Sequence, residues 1–421
     1  MKKITRTILF LFFLIVFLLF GPIIVLYSQG YRLDLNPPEG GKRLIQTGGL
    51  FLKIIPRQAE VYINDKFSRR TDLFFGSALI DNLLPRKYKI TIRKEGYHSW
   101  EKELEIREKE VIEAKNIILF TENPVFDILS RNIENFWLSP NEKRIAIQEK
   151  NNPEENLWSL KIYDLEKNIK SHLLSEEDIS QTNSVDLLEL EWSNTSNEIY
   201  IKTALNENEE KNFLLNLERI PPFPVERKIT LPPENTIASQ NSYYLDKSGY
   251  VFNNEEKLNE NPFPIEEKNE YDLKIFQDFI FLKENQSLYL FNRETKSFDF
   301  FFEKINDLKI SPDNNKLVYF SDSEIWLFFL KNNTSFPQSK AGESIFLLRF
   351  SEKIEDIFWL NSDYLIFNSR NNLKIAEIDD RDKINIINFA EFKDLKIFWN
   401  QTDKKLYLST QGELLVSEKL L

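Results

Sequence analysis

The sequence predicts an all-β protein behind one N-terminal transmembrane helix, and three observations support this prediction. An uncharged apolar stretch lies near the N-terminus. A short region of alternating apolar and polar residues follows it, and a two-strand phrase then recurs along the rest of the chain. Together these features predict a membrane helix, a small β-sandwich and a β-propeller of about seven blades.

The apolar stretch, ILFLFFLIVFLLFGPIIVLY, covers residues 8–27 and contains no charge. At about 1.5 Å per residue it spans about 30 Å, the hydrocarbon thickness of a bilayer. A cleaved signal peptide would have a shorter apolar core and small residues at a cleavage site, whereas this stretch continues into YSQGYRLD. Because Lys2, Lys3 and Arg6 precede it, we expect a cytoplasmic tail over 1–7 and a transmembrane signal-anchor over 8–27. The protein is then a single-pass cell-membrane protein with extracytoplasmic C-terminal domains.

The next two regions differ in their turn chemistry. Residues 28–49 include NPPEGG and are predicted to be a linker. Residues 50–120 contain runs with period two, such as LFLKII, KYKITIR and WEKELEI, with turn signals such as Asn64-Asp65 between them. Short strands at this spacing predict a small β-sandwich.

The order of these strands resembles the PEGA domain, a small extracytoplasmic β-sandwich of bacterial and archaeal surface proteins. The resemblance covers about 70 residues, from LFLKIIP through VYIND and KYKITIRKEGY to the strand ending at Leu119. The Pro-Glu-Gly-Ala signature of the family appears as Pro56-Arg57-Gln58-Ala59, and its Asp-Gly turn appears as Asn64-Asp65-Lys66. The proline that follows Thr71 in the family is Asp72. The resemblance implies a spacer domain outside the cytoplasm.

The recurring phrase consists of a strand ending near Trp or Ile, a polar turn and an alternating apolar strand. Its copies are FWLSPNEKRIAI (136–147), EWSNTSNEIYI (191–201), KISPDNNKLVYF (309–320), FWLNSDYLIF (358–367) and FWNQTDKKLYL (398–408). Several copies continue into a second strand pair, so the repeat predicts a β-propeller over residues 121–421. Blade starts near 133, 188, 240, 272, 307, 355 and 395 indicate seven blades, with six or eight as alternatives.

The third copy, SPDNNKLVYFSDSEIWLF, resembles the TolB-type propeller repeat, which the propellers of prolyl oligopeptidases share in looser form. Ser311-Pro312-Asp313 match the Ser-Pro-Asp of that repeat, and Asn314 stands where the family usually has Gly. Such residues form a turn by bonding their own backbone, so the motif indicates a repeat class and no reaction.

The last repeat supplies only three evident strands, LKIFW, KLYLS and ELLVS. Propellers can close by taking a strand from the other end of the chain. We therefore predict that PVFDILS, residues 124–130, completes the last blade.

Composition excludes several kinds of site. The chain has no cysteine and only two histidines, His98 and His172, so thiolate chemistry, cysteine-bound zinc and disulfides are excluded. Acidic residues outnumber basic ones 66 to 55, which argues against nucleic acid as a partner. The catalytic and nucleotide-binding motifs G-x-S-x-G, H-E-x-x-H and the P-loop are absent from the sequence. We predict no catalytic, cofactor-binding or metal-binding residue and no cofactor, and the binding residues stay unassigned.

Five side chains have a structural and a functional interpretation. Trp137, Trp192, Trp359 and Trp399 occupy one register of the repeat, where aromatic residues fill the space between blades; a sugar-binding platform is the alternative. His98 in GYHSW is interpreted as a polar loop residue beside packing aromatics rather than as a ligand or an acid/base group.

Acidic and proline-rich loops are the remaining candidates. Asp379, Asp380 and Asp382 in IDDRD could contact Ca²⁺, but they lack the alternation and glycine of a calcium loop. The acidic runs 152–156, 207–211 and 264–272 are predicted to be solvated loops. The proline-rich pieces 221–224, 231–233 and 261–264 are predicted to be surface excursions between blades and candidates for contact with a partner.

These observations predict a non-enzymatic, membrane-anchored protein of the cell envelope. The sandwich would be a spacer, and the propeller would bind a protein or a cell-wall polymer. One alternative is an enzyme that acts on envelope glycans through carboxylates in the propeller channel. Another is an accessory subunit that docks a membrane or protease complex. The acidic balance favours a neutral glycan or a basic protein patch as the partner.

Overall fold

The computed structural model describes residues 3–35, 43–152, 157–180, 184–205, 209–219, 223–226, 236–240 and 242–421. The chain is mostly β and divides into two units. The first unit comprises Met1–Asn123 and Asp379–Ile387, and the second comprises Pro124–Ile378 and Asn388–Leu421. We refer to them as unit 1 and unit 2.

Unit 1 begins with the helix α1 (Lys3–Ser28). Its segment Arg6–Ser28 is long and apolar enough to cross a membrane, and none of that segment is buried, features that suit a membrane span and a signal sequence alike. The end of α1 is tied to the following chain, because the Arg32 guanidinium donates a 2.8 Å hydrogen bond to the Tyr27 carbonyl oxygen and lies 3.5 Å from the centre of the Tyr27 ring.

Residues 28–49, for which the sequence predicts a linker, contain ordered β-structure. The strands β1 (Tyr31–Asp34) and β2 (Arg43–Gln46) pair as an antiparallel hairpin, and the next strand starts at Gly48. The buried Asp34 carboxylate accepts two 2.8 Å hydrogen bonds from Arg86, so this hairpin is fixed to the sandwich. The NPPEGG run, residues 36–41, which suggested the linker, lies outside the described residues.

Two sheets form a β-sandwich in unit 1. One has the strand order β6-β3-β9 and the other β5-β4-β7-β8. Their strands are β3 (Gly48–Ile55), β4 (Glu60–Ile63), β5 (Lys66–Arg70), β6 (Ser77–Leu83), β7 (Lys87–Arg93), β8 (Trp100–Glu105) and β9 (Val111–Ile118). The apolar positions predicted from period two face each other across the sheets, and side chains such as Leu52, Ile54, Ile90 and Ile92 are fully buried there.

The segment Asp379–Ile387 completes unit 1, although the sequence predicts it as part of an unbroken propeller domain. The ammonium of Lys102, on β8, donates to the carbonyl oxygens of Asp379 at 2.6 Å and Lys383 at 3.2 Å. The Arg381 guanidinium donates to the Glu113 carbonyl oxygen on β9 at 2.8 Å. The segment therefore covers the edge of the sandwich formed by β8 and β9.

Unit 2 contains seven four-stranded antiparallel sheets within the described residues, and six of them use consecutive strands. These strands are β11 (Ile133–Leu138), β12 (Arg144–Asn152), β13 (Leu157–Asp164), β14 (Ile169–Ser175); β15 (Val185–Trp192), β16 (Glu198–Leu205), β17 (Glu209–Asn216), β18 (Pro224–Glu226); β19 (Thr236–Gln240), β20 (Tyr243–Asp246), β21 (Val251–Asn253), β22 (Glu256–Lys257); β23 (Tyr271–Phe276), β24 (Phe279–Glu284), β25 (Ser287–Asn292), β26 (Ser297–Phe302); β27 (Asp307–Ile310), β28 (Lys316–Phe320), β29 (Glu324–Phe329), β30 (Ser344–Arg349); β31 (Ile354–Asn361), β32 (Tyr364–Ser369), β33 (Asn372–Glu377) and β34 (Ile386–Glu391). A single helical turn, α2 (Glu176–Ile179), follows β14.

The remaining sheet joins the two ends of unit 2. Its order is β10-β37-β36-β35, with β10 (Phe126–Arg131), β35 (Lys396–Asn400), β36 (Lys405–Thr410) and β37 (Glu413–Ser417). Phe126 pairs with Ser417 and Arg131 pairs with Glu413 in antiparallel register. The prediction that residues 124–130 complete the last blade is confirmed.

The first strand of each repeat lies innermost, and in the closing sheet this strand is β35. Neighbouring sheets touch through these strands, β19 with β23, β27 with β31, and β31 with β35. Side-chain hydrogen bonds from Lys396 to Asn135 and from Trp192 to the Trp137 carbonyl oxygen join β35 to β11 and β15 to β11. Since the remaining strands of each sheet follow in order from the first, they extend outward from it. The side chains of the first strands are therefore the ones placed around the centre of unit 2.

Candidate binding site on the inner strands

The Ser-Pro-Asp turn is a structural element. The Ser311 hydroxyl donates to the Asp313 carboxylate at 2.5 Å and accepts the Lys316 backbone N–H at 3.0 Å, and the Lys316 ammonium lies 3.0 Å from the other carboxylate oxygen. Asn314, which replaces the usual glycine, has a φ of 56°, a conformation that asparagine tolerates better than most residues. The polar groups of the motif thus bond one another, as the sequence predicts.

Equivalent turns also contact the next sheet. The backbone N–H of Asn141 donates to the Ser196 hydroxyl at 3.0 Å, and that of Asp313 donates to the Ser362 hydroxyl at 3.1 Å. Between the last and first repeats, the Thr402 hydroxyl donates to the Glu142 carboxylate at 2.7 Å. These bonds join neighbouring sheets, so the polar groups of the repeat motif are used within the protein.

The tryptophan register lies between neighbouring sheets. The indole N–H of Trp359, on β31, donates to the carbonyl oxygen of Lys309 on β27 at 2.9 Å, and that of Trp192 donates to the carbonyl oxygen of Trp137 at 3.3 Å. Trp359 and Trp399 are each 3% exposed, which leaves neither ring face free to stack on a sugar. For Trp359 and Trp399, the interpretation as aromatic residues that fill the space between blades fits the structure, and the alternative of a sugar-binding platform does not.

The two histidines belong to different units. The Nε2 atom of His98 is buried and has no hydrogen-bond partner within the described part of the chain, while its backbone N–H donates to the Phe120 carbonyl oxygen at 2.8 Å. His172 is exposed, and its Nε2 atom lies 3.9 Å from the Asp178 carboxylate. Among the residues that the structure describes, neither histidine belongs to a group of three or more potential metal ligands.

The acidic loop after β33 bonds to protein groups. The Asp379 carboxylate pairs with Arg381 at 2.6 Å, and the Asp382 carboxylate accepts the Glu103 backbone N–H at 2.8 Å. Burial raises the pKa of Asp380, and the negative charge of Asp379 adds to this effect. The described residues contain no group of three or more His, Cys, Asp or Glu side chains arranged to hold a metal ion.

The innermost strands carry a surplus of negative charge. They contain eight acidic side chains, Glu134, Asp186, Glu189, Glu191, Asp272, Asp307, Glu355 and Asp356, and three basic ones, Lys274, Lys309 and Lys396. Asp307 and Asp356 are partly buried, and the other acidic residues are exposed. The centre of unit 2 is therefore lined by acidic strands, and we call this lining the acidic inner ring.

The best-defined part of this ring lies on β27, β31 and β35. The Lys309 ammonium pairs with the Asp356 carboxylate and lies 3.7 Å from the centre of the Phe358 ring, which packs 5.2 Å from the Phe398 ring. Burial raises the pKa of Asp356 although Lys309 opposes this effect, and the charge of Asp307 adds to it. The cation, the carboxylate and the aromatic rings thus contact one another across β27, β31 and β35.

The sequence prediction missed this ring. It identified the first strands through their tryptophans and interpreted acidic residues only in loops. The useful signal was parity along a strand, because Asp307 and Lys309, or Asp356 and Phe358, project from the same face. This alternation points to the centre of unit 2 only once the strands that carry these residues are known to be innermost.

The sheet order and its closure make unit 2 a β-propeller. No family model and no curated protein matches the chain. Among solved structures it is similar to the β-propeller domain of Cps50 (Swd1) from Myceliophteria thermophila, with 13% identity and a TM-score of 0.40, over 71% of this chain and 98% of that one. The C-terminal WD40 domain of Sif2 has 13% identity and a TM-score of 0.42, over 70% and 98%. YCF48 from Cyanidioschyzon merolae has 10% identity and a TM-score of 0.39, over 69% and 98%.

Proposed function

We propose that the protein is a non-enzymatic scaffold of the cell envelope, anchored by α1, whose propeller docks a protein partner with a basic surface. The sandwich of unit 1, with its resemblance to the PEGA domain, acts as the spacer. Residues 1–7 are cytoplasmic and the later domains extracytoplasmic. The observation that carries the proposal is the acidic inner ring, in a propeller whose repeat motif is used for internal bonds.

The distribution of charge supports a basic partner. Unit 2 holds 49 acidic and 33 basic residues, whereas unit 1 holds 17 acidic and 22 basic residues. The net charge of −11 for the whole chain therefore arises in unit 2. A field of one sign around a ring attracts a partner of the other sign and increases its association rate.

The experiment is a pull-down with the full chain in detergent as bait for solubilised envelope proteins. We expect one stoichiometric protein to be retained at low salt and released as the salt concentration rises. Replacing two exposed ring residues, in Glu189→Gln/Glu191→Gln, should weaken retention severalfold. The control Glu255→Gln/Glu256→Gln removes the same charge from an exposed turn and the start of the outer strand β22, and this variant should retain the partner. Equal retention by both variants would contradict the role of the ring.

A second candidate is an enzyme that acts on envelope glycans through carboxyl groups of the channel. Asp356 favours it, because its pKa is raised by burial and Asp307 adds to the effect, as a general acid requires. Incubation of the purified chain with cell-wall glycan should then release shorter products, and Asp356→Asn should abolish the release. Unchanged glycan in both samples would leave the scaffold as the function.

A further inference from the structure

Unit 1 carries an apolar tip that its own fold does not cover. Leu73, Phe74 and Phe75 follow one another in the connection between β5 and β6, and they are 57%, 71% and 75% exposed. Single exposed apolar residues are ordinary, but three consecutive large ones at a loop end mark a surface that is covered by something else.

The tip is held in one conformation. One oxygen of the Asp72 carboxylate accepts the backbone N–H groups of Phe74 at 2.8 Å and Phe75 at 2.6 Å, and the other accepts that of Ser77 at 2.6 Å. Gly76 follows with a φ of 67°, and a Cβ atom there would lie 2.3 Å from the Ile54 carbonyl oxygen. The backbone of the tip is therefore fixed before binding, which lowers the ordering cost of an interaction through its side chains.

The tip and the end of α1 lie at opposite ends of one strand. The Thr47 backbone N–H donates to the Gly30 carbonyl oxygen at 2.9 Å, just before β3 begins at Gly48. At the other end of β3, the Ile54 N–H donates to the Gly76 carbonyl oxygen at 2.9 Å. Six residues of strand separate these points by about 20 Å. Both points reach one bilayer surface only when the strands of unit 1 lie along that surface.

The edge formed by β5 and β6 suits this orientation. Exposed apolar residues mark its course, with Leu44 in the hairpin beside α1, Leu79 midway along β6 and the tip at the far end. Arg32 of the hairpin donates to the Asn82 side chain on β6 at 2.5 Å, which places the hairpin at this edge. The opposite edge, β8 and β9, is covered by the segment Asp379–Ile387.

Basic side chains flank the tip. The Arg57 guanidinium donates to the Leu73 carbonyl oxygen at 3.5 Å, and Arg69 on β5 donates to the carbonyl oxygen of Leu79. Both side chains are bound through neutral carbonyl groups, so their charge is not balanced by these contacts. An apolar tip with one arginine beside it and another along the adjoining edge matches the boundary between the acyl chains and the anionic headgroups of a bilayer.

We propose that Leu73, Phe74 and Phe75 insert into the bilayer that α1 crosses, so that unit 1 lies on the membrane along its β5–β6 edge. The inference rests on the proposed function in one respect, the membrane span of α1. A lipid surface is favoured over a protein partner because only two residues separate α1 from β1, which keeps unit 1 at the bilayer.

The experiment uses the absence of cysteine from the chain. Full-length variants with one cysteine each, Phe74→Cys, Phe17→Cys and Glu105→Cys, are labelled with an environment-sensitive fluorophore and reconstituted into phosphatidylcholine–phosphatidylglycerol vesicles. Lipids with nitroxide groups at a shallow or a deep position then quench the probes. We expect the probe at 74 to be quenched most by the shallow nitroxide, about 5–10 Å into the boundary region. The probe at 17 should be quenched most by the deep nitroxide, and the probe at 105, on β8, by neither.

Two controls test the chemistry. Adding Leu73→Ser and Phe75→Ser to Phe74→Cys should remove the quenching, and persistent quenching would mean that the probe inserts by itself. Adding Arg57→Gln and Arg69→Gln should reduce the difference between vesicles with and without phosphatidylglycerol.

The outcomes separate the two proposals. Quenching at 17 without quenching at 74 overturns the surface contact and leaves the tip to a protein partner. Quenching at 74 without quenching at 17 shows that the tip contacts lipid but overturns the anchor, and with it the orientation of unit 1 that depends on the span of α1. Absence of quenching at both positions overturns both proposals.

Discussion

The fully buried ammonium of Lys102 donates a 2.6 Å hydrogen bond to the carbonyl oxygen of Asp379, which lies 277 residues later in the chain. The same ammonium donates to the Lys383 carbonyl oxygen and lies 3.9 Å from the Asp379 carboxylate. A buried cation is stable only when such acceptors surround it. Lys102 thus fixes the segment Asp379–Ile387 within unit 1.

Replacing Lys102 by methionine should release this segment. The carbonyl oxygens of Asp379 and Lys383 would lose their shared donor, which should cost about 2–4 kcal/mol in the free energy of unfolding of unit 1. Urea titrations measure that loss, and trypsin should cut faster after Arg381 and Lys383. The exposed Lys115→Met is the control and should change stability by no more than about 0.5 kcal/mol. Unchanged cleavage in Lys102→Met would refute the role of this contact.

The closing strand β10 should stabilise unit 2 more than an ordinary outer strand does. We would replace Phe126–Arg131 by a Gly-Ser segment of equal length, and in a separate variant Ser297–Phe302 of β26. Both are six-residue strands at the edge of a four-stranded sheet, but only β10 joins the two chain ends. The free energy of unfolding of the β10 variant should fall by at least about 3 kcal/mol more than that of the β26 variant, because the ends of a long chain are no longer held together. Equal losses in thermal melts would contradict this expectation.

Two tryptophans of one register should respond differently to the same substitution. Trp359 and Trp399 are equally buried, but the Trp399 indole N–H has no hydrogen-bond partner within the described residues. Trp359→Phe removes the indole hydrogen bond to the Lys309 carbonyl oxygen, whereas Trp399→Phe removes an unsatisfied donor. We expect Trp359→Phe to be the more destabilising by about 1–2 kcal/mol in urea unfolding. A larger cost for Trp399→Phe would show that its indole has a partner, such as water, in solution.

A buried carboxylate should make the free energy of unfolding of unit 2 depend on pH. Glu149 is 6% exposed, and burial alone would raise its pKa, but bonds from Lys161, Lys170 and Ser130 outweigh burial and hold the pKa below its usual value. A pKa lowered in the folded state adds stability above the unfolded value of about 4.5, and this stability is lost as the pH falls through the lower folded value.

The measurement for Glu149 is unfolding free energy from pH 7 to pH 3. Glu149→Gln should lower the free energy of unfolding by about 2 kcal/mol at pH 7, since it leaves Lys161 and Lys170 without the carboxylate that pairs with them. The difference in unfolding free energy between this variant and the unsubstituted protein should become smaller below pH 4.5. The exposed Glu303→Gln serves as the control. A difference that stays constant over this range would argue against an ionised Glu149.

Local patterns in the sequence were sufficient to predict the propeller repeat and the strand that closes the last blade. The repeat phrase places Ser311 and Asp313 in a turn through bonds between near neighbours, and such bonds depend on residue type and spacing alone. The strand at 124–130 was identifiable because the last repeat lacked one strand. α1 was equally evident, because twenty uncharged apolar residues have few other uses.

Contacts between distant parts of the chain were not predictable in this way. In WEKELEI, Lys102 shares the inward parity of Trp100 and Leu104, a position where a charged side chain is uncommon. Nothing in that run indicates that carbonyl groups from 379 and 383 would receive its ammonium. The acidic inner ring depends likewise on which strands are innermost, and this follows only from the packing of whole sheets.

The pairing of β10 with β37 also sets an order of events during biosynthesis. Phe126 emerges long before Ser417, its partner in the closing sheet. At about 5–20 residues per second, β10 waits on the order of 15–60 s for its partner. During that time one strand edge is open to other chains, and a chain that stops before Glu413 keeps it open. Synthesis of the five-residue strand β37 therefore distinguishes a closed propeller from an aggregation-prone open one.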